Sequence, residues 1–146
     1  MRPPHQIASA ARIVRMLYGT ILAGLVAIEG TCVLALRLSP QPPPGESPRI
    51  GLVIAALPLA LLGVAIGGVR ARIPERRPDQ SPDSYWSDAS TRGAAIVLWA
   101  VVEVAGLLAA IGYFRTRGVV PAAALALALA TMMLVRPARL EADGAP

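Results

Sequence analysis

Two acidic residues stand where chemistry is most conspicuous: Glu29 in the run TILAGLVAIEGTCVLAL and Glu103 in IVLWAVVEVAGLLAAIGYF. A carboxyl among so many apolar neighbours has little water to solvate it, so it must be neutral, hydrogen-bonded or engaged with a ligand. No Lys, Arg or His shares either run; Arg37 lies eight residues from Glu29 and Arg115 twelve from Glu103. The chemistry open to such acids is narrow. Either each makes a hydrogen bond across a helix interface and sets its register, or the two together take up a proton or a cationic substrate and release it as access alternates. Trp99, one helical turn before Glu103, offers a ring face suited to a cation and equally suited to core packing.

Little else in the chain resembles a reactive centre. Cys32 and His5 are the sole residues of their types, so neither an internal disulfide nor a Cys/His site for zinc, iron–sulfur or haem is expected. No nucleophile, base and orienting group occur together, so neither catalysis nor a cofactor is expected.

The elements that must position the acids follow from composition. Of 146 residues 55% are hydrophobic and 16% charged, too few charges to keep a soluble domain of this size dissolved. Lipid is therefore the expected solvent, with four uninterrupted stretches for an all-α bundle of four transmembrane helices. They are 16–36, 50–69, 94–114 and 119–135, or 21, 20, 21 and 17 residues; a hydrocarbon core of about 30 Å asks for roughly 20. Glu103 does not prevent insertion. The third stretch holds ten Leu, Ile, Val or Phe residues, each favouring insertion by about 0.45 kcal/mol against about 3 for one central acid.

All 14 basic residues are arginine, and their distribution predicts orientation. With the N-terminus inside, the inner segments carry Arg2, Arg12, Arg15, Arg70, Arg72, Arg76, Arg77, Arg92, Arg136 and Arg139, leaving four arginines outside. Both termini are thus expected in the cytoplasm. The Arg-, Ala-, Pro- and Gly-rich composition without Lys matches the codon bias of a GC-rich bacterium and suggests an inner-membrane location. A cleaved signal at the start competes with an uncleaved first span, but Glu29 interrupts the apolar run such a signal needs.

Between the spans, the Pro-rich outer loop at 38–49 reads as a stiff, helix-breaking connection, and 70–93 as a charged cytoplasmic loop. Arg70, Arg72, Arg76 and Arg77 there, with Arg12 and Arg15, read as topology signals attracted to anionic headgroups. The net charge of +5 is too dispersed, and too poor in accompanying motifs, to suggest nucleic acid. Tyr85 and Trp86 are expected at headgroup level as an interfacial anchor, with Ser90 or Thr91 capping the next helix. Within the spans, Gly63 and Gly67 form a GxxxG pair expected to pack a helix of this chain or of a second copy, and Pro58 predicts a kink. Matching the midpoints of the first and third spans puts Glu29 and Glu103 at nearly one depth.

The stretch from Ser90 to Glu141, above all Trp99, Ala100, Glu103, Ala105 and Gly106 followed by Arg136, Pro137 and Arg139, resembles small uncharacterised four-helix membrane proteins of bacteria. That resemblance implies an integral membrane protein of unassigned activity. The expected role is a structural or accessory membrane subunit in contact with lipid, as a homo-oligomer or within a larger complex. The alternative is a small proton-coupled or cation conduit built on Glu29 and Glu103.

Overall fold

The computed structural model describes residues 10–38 and 48–142. Arg2, His5 and the Pro-rich connection between 39 and 47 lie outside the described residues. Among those described there is helix and turn and no strand. Helix α1 is Ala10–Leu38 and α2 is Pro48–Val64, which continues through a π turn at Ala65–Val69 and a 3-10 turn at Arg70–Arg72. Then come α3 (Pro82–Ser87), α4 (Ala89–Thr116), α5 (Val119–Leu134) and α6 (Pro137–Ala142).

Local chemistry sets the boundaries of α3 and α4. Ser81 caps α3 by accepting from the Ser84 N–H at 3.1 Å, with Pro82 preset for the first turn. The cap of α4 is Asp88, not Ser90 or Thr91; both of those hydroxyls donate to its carboxylate instead. Arg117 ends α4 in the left-handed region at φ 51°, its N–H donating to the Tyr113 carbonyl at 2.7 Å. Gly118 follows and α5 begins, so two residues turn the chain into an antiparallel hairpin. Helices α1 and α4 start five or six residues before the expected spans. The mostly polar stretch 89–93 extends α4, and a turn carrying Arg12 and Arg15 extends α1, with its Ala11 and Val14 buried in the core. The stretch 70–93 is accordingly mostly helix and turn rather than an open loop. Helix α2 is α-helical through Pro58 and passes into π geometry at Ala65–Val69.

Helices α1, α2 and α4, with α2 counted from Gly51 to Arg72, are long and apolar enough to cross a membrane. Helix α5 has 16 residues, about 24 Å at 1.5 Å per residue, short of a hydrocarbon core of about 30 Å. The centre of the structure is α4. Of its most apolar window 44% is buried, against 11% for α1, because α1, α2 and α5 all pack on α4. The inward seam of α1 is Ala11, Val14, Tyr18, Leu25 and Glu29, at the three- and four-residue spacing that keeps one stripe on a neighbour.

Two glycines of α4 let its neighbours approach. A Cβ on Gly106 would fall 2.6 Å from Leu25 Cδ1 and 3.5 Å from the Ala128 Cβ; one on Gly112 would fall 2.6 Å from Ile54 Cγ2. Helices α1 and α5 meet α4 at the first, α2 at the second. The GxxxG pair makes no such contact: Gly63 and Gly67 are exposed with nothing within 4 Å of an added Cβ, and Gly67 lies in the π turn. Within this chain the pair therefore packs no helix, since α2 turns a different face to α4, and the alternative of a second copy stays open. Gly106→Ala should lower stability by about 1–3 kcal/mol through overpacking against the fully buried Leu25. Gly63→Ala should stay within about 0.5 kcal/mol, and thermal unfolding in detergent reads both.

Candidate functional site

At one end of the bundle four aromatic residues close the core. Tyr85 and Trp86 on α3 stand edge to face at 4.8 Å, Trp86 lies 6.2 Å from Trp99, and Trp99 meets Tyr18 at 5.3 Å. Each polar tip has a partner. Tyr18 donates to the Met132 carbonyl at 2.9 Å and Trp99 to that of Val135 at 2.8 Å, satisfying acceptors that the end of α5 leaves open. Tyr85 donates to the Pro74 carbonyl at 2.9 Å, and Trp86 to Glu141 Oε1 at 2.8 Å. The interfacial-anchor expectation for Tyr85 and Trp86 is thereby corrected: both are within 1% of full burial. Composition beside a span suggested headgroup contact, but α3 folds inward and its rings fill the space over Trp99.

Glu141 on α6 ties this end together. Arg15 of α1 donates to both its oxygens at 2.9 and 3.1 Å, and Arg76 donates to its backbone carbonyl at 2.7 Å. Arg76 also holds the Gln80 carbonyl, and Ala11 N–H reaches Asp83 Oδ1 at 3.3 Å. The start of α1, the segment after α2 and the chain after α5 are thus gathered at the same end. Of the expected topology arginines, Arg15 and Arg76 are structural bonds, Arg70 donates to the Ile73 carbonyl, and Arg12, Arg72 and Arg77 are exposed. No sequence pattern pointed to Glu141, because its partners are 55 to 126 residues away.

The intramembrane acids are arranged differently from expectation. Tyr18 against Trp99 and Leu25 against Gly106 set the register of α1 on α4. That register places Glu29 level with Ala110, seven residues beyond Glu103, about 10 Å along the axis. The single-depth expectation fails because packing, not the span midpoint, decides how parallel helices align. The two carboxyls also leave the interface on opposite flanks. Glu29 follows Leu25 by one turn on the buried seam, before Cys32, which packs against the alanine-rich cluster of Ala55, Ala109, Ala110, Ala124 and Leu125. It is 6% exposed, and its Oε1 is buried with no hydrogen-bond partner among the described residues. Glu103 is part-exposed at the other rim, its Oε1 3.8 Å from where a Cβ on Gly24 would sit.

Trp99 belongs to the aromatic core and not to a cation site around Glu103, since its N–H and its ring contacts are directed at Val135, Tyr18 and Trp86. A shallow apolar groove lined by Leu61, Val97, Ala100, Val101 and Val104 runs between α2 and α4 on the exposed side. Among the described residues no group of three or more His, Cys, Asp or Glu comes together as metal ligands. No family model, curated protein or solved structure matches the chain.

Two expectations test this end of the molecule. Glu141→Ala should destabilise by about 2–3 kcal/mol, with Glu141→Gln intermediate because an amide oxygen still accepts from Trp86; thermal unfolding and proteolysis after residue 136 measure it. The Asp88 carboxyl is held well below the usual carboxylate range, first by the Ser90 hydroxyl, then by the hydroxyl and N–H of Thr91. A carboxyl with a lowered folded value stabilises fully above its ordinary value near 3.8 and loses that contribution as the pH falls through the acid range. The stability difference between wild type and Asp88→Ala should therefore shrink between about pH 5 and pH 2.

Proposed function

We propose that the protein is a structural or accessory subunit of a bacterial inner membrane, with four spans and both termini in the cytoplasm. In this reading α5 is the fourth span, made adequate by thinning of the bilayer and by arginines at its ends reaching the headgroups. The arginine-rich end, where α1 begins, α2 ends and α5 ends, faces the cytoplasm.

The observation that carries the reading is Glu103. It stands near mid-span on the rim between α1 and α4, part-exposed, and the described residues supply no basic group at that depth. A polar group facing hydrocarbon is costly unless another membrane helix covers it, so a surface of this kind suits assembly. Lipid occupies the remaining apolar exterior, including the groove beside Val97 and Val104. Purification in gentle detergent from native membranes should yield a complex larger than one chain. Glu103→Leu, which inserts more readily, should lose the assembled form while keeping its helical content, and an unchanged assembly would overturn the reading.

A second reading, a proton or cation conduit, is favoured by the unpartnered Oε1 of Glu29. The separation of the two acids leaves Glu29 to serve alone there. Wild-type protein in liposomes should then pass protons or organic cations and Glu29→Gln should not; equal leakage would end that reading.

A further inference from the structure

We propose that the rim carrying Glu103 is the interface of a homodimer, in which a second copy of this chain packs across a two-fold axis parallel to the membrane normal. This rests on the reading of Glu103 as an assembly contact and names the partner.

The rim is more polar than the rest of the lipid-facing surface. Beside Glu103, α1 presents Thr20, Gly24, Ala27 and Thr31, spaced by four, three and four residues and so on one stripe; Thr20, Ala27 and Thr31 are exposed. Gly24 identifies this stripe as the one next to Glu103. The threonine hydroxyls donate to carbonyls one turn back, Thr20 to Met16 at 3.0 Å and Thr31 to Ala27 at 2.7 Å. Their hydrogens are thereby used and their oxygens remain outward-facing acceptors. Small side chains admit a neighbouring backbone, and the carboxyl supplies a donor and an acceptor when neutral.

Complementarity selects the occupant. An acid in hydrocarbon needs a hydrogen-bonding group at its own depth, and the described spans offer no cation for it. A second copy related by an axis along the membrane normal places an identical carboxyl at identical depth. Two neutral carboxyls then donate and accept reciprocally, with the second copy's Thr20 hydroxyl oxygen less than one turn away in height. A partner of other composition would have to match that depth by its own sequence. The opposite flank is unsuited to this role, because Glu29 is enclosed within the bundle.

The test uses the full chain, reconstituted in lipid vesicles at a series of protein-to-lipid ratios, with energy transfer between labelled copies as the readout. Wild type should dimerise. Glu103→Gln should retain dimerisation, since paired amides bond in the same reciprocal way, and Glu103→Leu should weaken it about tenfold, the scale of an intramembrane hydrogen bond. In a Cys32→Ser background, Thr20→Cys should form an intermolecular disulfide on oxidation, whereas Val53→Cys, on α2 and 73% exposed, should not. Circular dichroism verifies that each variant is folded. Wild type monomeric at every ratio, Glu103→Leu dimerising as wild type does, or cross-linking only through Val53→Cys would overturn the homodimer. If the purified chain is monomeric while a native-membrane complex still depends on Glu103, the homodimer fails and the accessory-subunit reading stands. If Glu103→Leu changes neither, both fail.

Discussion

A helix end leaves carbonyl groups without partners, and where that end is buried there is no water to satisfy them. In this protein the end of α5 meets that constraint with aromatic side chains from two other helices. Tyr18 of α1 reaches Met132 and Trp99 of α4 reaches Val135. Both rings must lie beside α5 to do so, which brings α1, α4 and α5 together at one level. Trp86 then packs at a tilt against Trp99, and Glu141 fastens Trp86 to Arg15. Much of the tertiary arrangement follows from those two capped carbonyls.

From that end the register propagates outward. With Tyr18 fixed beside Trp99, two turns along the same seam bring Leu25 against Gly106, where the absent side chain leaves the required space. One turn further, Glu29 enters the alanine-rich interior. Glu103, placed on α4 about two turns below it, emerges on the other side of α1. The acids differ in surroundings because of a register set some distance away. One is enclosed and lacks a partner for Oε1, while the other reaches the surface beside a glycine.

This contrast gives the molecule two unlike halves. The arginine-rich end is closed by side-chain bonds spanning the whole sequence, including a salt bridge whose acid is only 12% exposed. Along its apolar length, α1 is held by close packing on α4 and turns most of its surface outward. In the assembly proposed above, the closed end would leave the open, partly polar flank to meet another helix, with Glu103 registering that contact.

Much of the scaffold was legible in the sequence. Long apolar stretches separated by Pro, Gly and Arg identify the helices, since helix length and hydrophobicity are local properties. Glu29, Glu103 and Trp99 stand out because each is unusual among its immediate neighbours. What sequence could not convey was direction and distance. Tyr85 and Trp86 have the composition of an interfacial anchor, and only the inward fold of α3 makes them core. Gly63 and Gly67 carry a packing motif, yet the tight contacts occur at Gly106 and Gly112, because the rotation of each helix depends on its neighbours. Glu141 is an ordinary acid near the chain's end until Arg15, Arg76 and Trp86 converge on it. The sequence by itself determined which residues leave water and which would be costly there. Only the tertiary structure decided which of them meet, because helix register and rotation are set by long-range packing and not by the spacing of residues along one helix.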